Sequence, residues 1–192
     1  MIERRAKVDV TDADAIAATR QWIERAVIGL NLCPFAKLPF SRGAIRYAVS
    51  AARCNEQLAA DLREELLTLV DADPLECETS LLIHPQIFHD FLDYNEFLGT
   101  AEAMLGELEL DGVIQIASFH PDYRFAGTTN DAPENNSNRS PFPTLHLLRE
   151  SSVDRAVESG VDVNAIPEEN IKRLRRLGSE GWRRLWINES EM

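Results

Sequence analysis

Ile16, Thr19, Ile23, Ala26, Val27 and Leu30 recur at three- and four-residue spacing, which gathers them on one face of a first helix. Thr11 is placed to cap that helix, with Asp14 three residues on in a near capping-box arrangement. Pro34 disfavours helical backbone at Cys33, so the helix is expected to stop near Leu32 and an irregular segment to run from Cys33 to Phe40. Ile45, Tyr47 and Val49 alternate between Ala44 and Ser50, the pattern of a half-buried strand. A helical pattern returns from Asn55 to Val70 through Leu58, Leu62, Leu66 and Leu69. The short apolar run Thr79 to Ile83 predicts a buried strand. Pro85 to Leu108 predicts an amphipathic helix with Phe88, Phe91, Leu92, Leu98, Met104 and Leu105 in the core. Past Gly112, Val113 to Phe119 predicts a further strand.

Strands separated by helices favour parallel pairing through right-handed crossovers. The expected fold is therefore α/β (or α+β), with a small mixed sheet of about four strands. Three of these are parallel in a βαβαβ core, and helices flank the sheet. Pro121 to Pro143 is rich in Asn, Asp, Gly, Ser, Thr and Pro, and loops this long inside compact domains are usually functional or disordered. Thr144 to Leu148 is the candidate fourth strand, and Ser151 or Ser152 is placed to cap a helix running through Val157. Pro167, Glu168 and Glu169 resemble the first turn of a last helix, with Gly178 just past its end. With no solenoid-type repeat and no dividing linker, one domain is expected over residues 1–192. Residues 1–10 form a candidate disordered leader, and 167–192 a basic helix and tail packed on the core.

The charge balance narrows the function classes. Twenty Lys and Arg stand against 32 Asp and Glu, a formal net charge of −12. That argues against general affinity for nucleic acid or anionic lipid, which needs excess cation. No run approaches the roughly 18 apolar residues that span a bilayer. MIERRAKVDV also lacks the apolar stretch of a signal peptide, so no membrane partner and a cytoplasmic location are expected. Three cysteines make neither a disulfide framework nor a zinc-finger spacing. The cations cluster at Lys172, Arg173, Arg175, Arg176, Arg183 and Arg184, interleaved with Trp182 and Trp186. This segment is expected to pack Leu174, Leu177, Leu185 and the tryptophans on the domain and to pair its arginines with the acidic body or with a second copy, in a homo-oligomer.

Two strand ends repeat a pattern, Leu82-Ile83-His84-Pro85 and Ser118-Phe119-His120-Pro121. In a parallel sheet both histidines would emerge at the carboxyl edge, where open α/β sheets place ligands. His120 is the candidate general base or metal ligand. Asp122 follows closely enough to fix its tautomer, and Tyr123 lies beside them. His84, His120 and His146 together are a candidate three-histidine site for a divalent metal, zinc or iron, holding an activated water. Asn138 and Arg139 are candidates to bind an anionic substrate group, since a guanidinium matches such anions bidentately. Each has a plainer alternative: strand-capping histidines, and a solvated loop whose arginines pair with Asp122, Asp131 or Glu134. Cys33 follows a helix C-terminus, where the dipole opposes a thiolate. A buried structural thiol among Leu32, Phe35 and Phe40 is the favoured reading, and a nucleophile with a histidine base the runner-up.

The blocks Gly29-Leu30-Asn31-Leu32-Cys33-Pro34-Phe35-Ala36, Leu82-Ile83-His84-Pro85, Asp93-Tyr94-Asn95, Ser118-Phe119-His120-Pro121-Asp122-Tyr123 and Asn138-Arg139-Ser140-Pro141 to Glu150 resemble a mostly bacterial family known only as a domain of unknown function. The resemblance covers roughly residues 13 to 160. It departs at Arg124 and Phe142, where many relatives carry Gln and Tyr. It implies kinship and supplies no reaction. The residues themselves point to an enzyme acting on a small-molecule substrate by metal-dependent hydrolysis at the strand carboxyl ends. Thiol chemistry at Cys33 and a non-catalytic protein-binding or regulatory domain are the alternatives.

Overall fold

The computed structural model describes residues 10–158, 160 and 162–186; expectations for residues 1–9 and for the end of the tail, 187–192, lie outside them. Helix α1 spans Asp12–Trp22, and its Thr11 cap accepts the Asp14 amide N–H at 3.2 Å. The helix continues as a π-helical turn, Ile23–Ile28, instead of an α-helix to Leu32. The segment expected to be irregular contains a short helix, α2, Lys37–Arg42, closed by Gly43 at φ 71°. Strand β1 (Ile45–Val49), helix α3 (Asn55–Asp71) and strand β2 (Thr79–Ile83) lie where their patterns put them. Helix α4 spans only Phe91–Glu107. Asp90 caps it by accepting the Leu92 amide at 2.8 Å, and Phe88 just before it sits at φ 58°, outside helical geometry. Tyr94, Phe97, Ala101, Met104 and Leu105 are buried, whereas Leu92, expected in the core, is 60% exposed.

Strand β3 is Ile114–Phe119, β4 is Thr144–Arg149, α5 is Glu150–Glu158 and α6 is Ile166–Arg184. Gly178, expected to follow the last helix, instead interrupts α6 with a non-helical backbone at φ 65°. The sheet order is β1-β2-β4-β3. Among the described residues only β1 and β2 pair in parallel, and β4 is antiparallel to both β2 and β3. The expected βαβαβ core of three parallel strands is therefore corrected in its pairing. β3 keeps the direction of β2, but β4 returns from the long loop and occupies the place between them.

Each face of the sheet carries its own core. On one, α3 and α4 pack Leu58, Leu62, Leu66, Leu69, Tyr94 and Phe97 against Leu82, Leu145 and Leu147. On the other, Ala15, Trp22, Ile23, Ala26 and Val27 cover Leu81 and Ile83. Burial on both faces explains why β2 reads as a continuous apolar run. Helix α6 buries Leu174, with Trp182 and Leu185 against the α1 side. Arg175 pairs with Glu134 at 2.7 Å, and Lys172, Arg183 and Arg184 pair within the helix. Among the described residues, no helix is long and apolar enough to cross a membrane.

Candidate functional site

The carboxyl ends of β2 and β3 are closed. The segment leading into β4 passes over them, with the His84 amide donating to the Pro143 carbonyl at 3.0 Å and the His120 amide to that of Asn138 at 3.1 Å. An edge crevice needs neighbouring connections that diverge, and the returning chain fills that place.

Both histidines are fully buried, on either side of Tyr94. Its ring lies 5.6 Å from that of His84 and 5.2 Å from that of His120. The Tyr94 hydroxyl donates to the Thr144 carbonyl at 2.9 Å and accepts the Phe119 amide at 3.1 Å, tying α4 to the ends of β3 and β4. The His120 Nε2–H donates to the Phe88 carbonyl at 2.9 Å, and its Nδ1 accepts the Asp122 amide at 3.0 Å. A carbonyl can only accept and an amide N–H only donate, so the ring is neutral and both nitrogens are engaged. It is the Asp122 backbone, not the carboxylate, that fixes the tautomer. His120 thereby holds the Phe88 turn, whose left-handed backbone is an uncommon conformation for a bulky residue. Burial lowers its pKa despite the nearby Asp122 and Asp90 carboxylates. His84 makes no ring hydrogen bond among the described residues, and burial pushes its pKa down to about 3.

His146 lies on the other side of the sheet, paired across from Leu81 and Ala117. The structure therefore divides the three candidate metal ligands between two faces. Among the described residues, no three of His, Cys, Asp and Glu are grouped to hold a metal ion. The loop candidates are engaged internally as well. Arg139 donates from Nε to the Tyr123 carbonyl at 3.2 Å and from a terminal nitrogen to the Asn130 carbonyl at 2.5 Å. The Asn138 side-chain amide donates to the Ser118 carbonyl at 3.1 Å, and Tyr123 packs its ring 5.0 Å from those of Phe91 and Phe125.

A cavity of about 540 Å³ opens instead between the α1–α2 side and the sheet. Trp22, Ile23, Val27, Leu81, Phe119 and Leu148 form its apolar walls, with Cys33 and His146 among the lining residues. It extends toward the amino ends of β1 and β2, where Ile45, Glu78 and Thr79 line it. A volume of this order suits a small ligand.

Local backbone features place Cys33. At Gly29 a Cβ would lie 2.3 Å from the Arg25 carbonyl oxygen, so the closing turn admits only glycine without a shift. Asn31 takes a left-handed φ of 49°, which Asn tolerates, and ends the helical run. From α6, Asn170 donates to the Leu32 carbonyl at 2.8 Å and Arg173 to that of Asn31 at 2.6 Å. Burial raises the Cys33 thiol pKa, while the nearby Phe35 and Ala36 amides pull the other way. The helix-dipole objection to a thiolate is softened, since the chain bends away through Asn31 and a new helix starts at Lys37.

The tautomer of His146 follows from Thr79. The single hydroxyl proton of Thr79 goes to the Leu147 carbonyl at 2.6 Å, so its oxygen must accept from the His146 Nε2–H at 2.7 Å. Nδ1 keeps its lone pair and has no partner among the described residues. Burial pushes the His146 pKa down to about 4, although a partly exposed edge at the cavity admits solvent and tempers the effect.

Arg42, Arg149, Arg155 and Trp22 line the same cavity and carry no short-range motif. The one available signal was the alternation of β4, which places His146 on the face opposite Leu145 and Leu147. No curated protein and no solved structure matches the chain. The family described as "Protein of unknown function (DUF1415)" matches residues 14–184, and the chain belongs to that family.

Proposed function

We propose that this protein is an enzyme acting on a small molecule bound between α1 and the sheet, with Cys33 as nucleophile and His146 as base. The observation that carries the reading is that one cavity is lined by both a thiol and an imidazole. At neutral pH the pair rests as thiol and neutral imidazole, since burial raises one pKa and lowers the other. Attack on a carbonyl carbon then passes the thiol proton to the His146 Nδ1 as the sulfur–carbon bond forms and the carbonyl π pair moves onto its oxygen, the general-base form of nucleophilic catalysis. Thr79 supports this by holding the proton on Nε2. The free thiols of Cys33, Cys54 and Cys77 fit a reducing compartment, which supports a cytoplasmic location.

The test is alkylation of Cys33 by iodoacetamide in a Cys54→Ser/Cys77→Ser background, followed by mass spectrometry across pH 6 to 10. His146→Ala is expected to slow the reaction several-fold at pH 8. An unchanged rate in a well-folded variant would sink the pairing and leave a binding protein with a structural thiol.

A further inference from the structure

The cavity's charge runs against that of the chain. The protein carries a formal net charge of −12, yet the charged residues lining this cavity are three arginines, Arg42, Arg149 and Arg155, and one acid, Glu78. Glu78 is already engaged by Arg155 at 3.1 Å. Arg42 is exposed and has no hydrogen bond or ion pair among the described residues. Arg149 is buried and shares the face of β4 that carries Leu145 and Leu147, across from Ile114, where its guanidinium donates to the carbonyls of Leu69, Ala72 and Cys77 around the end of α3, away from the cavity. The Arg42 guanidinium at the edge of an apolar cavity can therefore take an anion without giving up an existing ion pair. Apart from Cys33, Thr79, His146 and Ser152, the remaining walls are aromatic and aliphatic.

We infer that the ligand of this cavity is an apolar molecule with one anionic head, a carboxylate or a phosphate. Its body lies along Trp22, Phe119 and Leu148, and its head meets the Arg42 guanidinium. This names the substrate class for the site proposed above and rests on the cavity being a ligand site. It does not require Cys33 to react. The apolar walls exclude water from the body of the ligand, while arginine matches either head bidentately. A neutral ligand of the same shape leaves Arg42 merely solvated, so selectivity for charge over shape is the signature.

The experiment is calorimetric titration of the full chain, as wild type and as Cys33→Ser, with octanoate, octyl phosphate and 1-octanol. The two anions are expected to bind at least about tenfold more tightly than the alcohol, the preference expected of one charge-assisted hydrogen bond. The stronger anion identifies the head. Arg42→Ala should weaken both anions about tenfold and leave the alcohol unchanged, and added salt should narrow the gap. Equal binding of the alcohol, an Arg42→Ala loss shared by all three probes, or no binding by any of them would overturn the inference. Anion selectivity retained in Cys33→Ser, together with alkylation insensitive to His146→Ala, would uphold it while removing the thiol chemistry.

Discussion

The side-chain amide of Asn170 in α6 donates to the carbonyl oxygen of Leu32 at 2.8 Å, one residue before the thiol of Cys33. The C-terminal helix thus holds the backbone of a segment nearly 140 residues away in sequence. Both Asn170 and Leu32 are buried, so Asn170→Ala strands a carbonyl in a dry environment. A loss of about 1–3 kcal/mol is expected in urea denaturation, with faster alkylation of Cys33 as the loop loosens. An unchanged midpoint and alkylation rate would show that α6 merely lies against the loop.

Gly29→Ala should be more damaging than a surface glycine substitution. The added Cβ would meet the Arg25 carbonyl oxygen at 2.3 Å, and backbone cannot yield as a flexible side chain does. About 1–3 kcal/mol of overpacking is expected, read as a fall in the thermal midpoint. Gly99→Ala has open space at its Cβ inside α4 and serves as the tolerated control.

Acid sensitivity should trace in part to His84. Its folded pKa of about 3 lies below the ordinary 6.5, so the unfolded chain binds more protons. The neutral ring's contribution is whole above about pH 6.5 and is lost as pH falls from there toward 3, at about 1.4 kcal/mol per pH unit. His84→Phe keeps the stacking on Tyr94 and removes the proton. Its urea midpoint should fall less between pH 7 and 4.5 than that of the wild type, and parallel curves would refute the assignment.

Thr79→Val removes the hydroxyl that accepts from the His146 Nε2–H. Nitrogen-15 NMR of the imidazole should shift from one Nε2–H tautomer to a mixture. Cys33 alkylation should slow, since the proton is no longer held away from Nδ1. A single unchanged tautomer in the variant would show that something other than Thr79 sets it.

The strands were legible because their pattern is local. Ile45, Tyr47 and Val49 alternate in the sequence as they do in the sheet, and β2 is apolar throughout because both its faces are covered. Helix α4 starts later than its pattern suggests, although Met104, Leu105, Phe91 and Leu98 face the core as expected, because its start depends on Phe88, held in a left-handed turn by a hydrogen bond from His120 that no spacing announces. The His-Pro strand ends drew the candidate site to the carboxyl edge because both strands were expected in one parallel sheet, whose edge crevice needs β2 and β3 side by side. Insertion of β4 removes that adjacency and sends His146 to the face opposite His84 and His120. Cys33 and His146 meet at one cavity only through the packing of α1 and α2 on the sheet, a long-range outcome with no periodicity to reveal it. Kinship, by contrast, was carried in contiguous blocks and could be read directly.

The placement of β4 also sets an order of events for the folding chain. β2 and β3 have no hydrogen bonds to one another, so a nascent chain that has reached Phe119 carries two halves of a sheet with open edges. Those edges are satisfied together when Thr144–Arg149 inserts between them. Pairings of such long sequence separation form slowly, and until then β3 is exposed to pairing with another chain. The last strand thus works as a keystone, and a chain stopped before Arg149 carries a split sheet instead of a slightly smaller one.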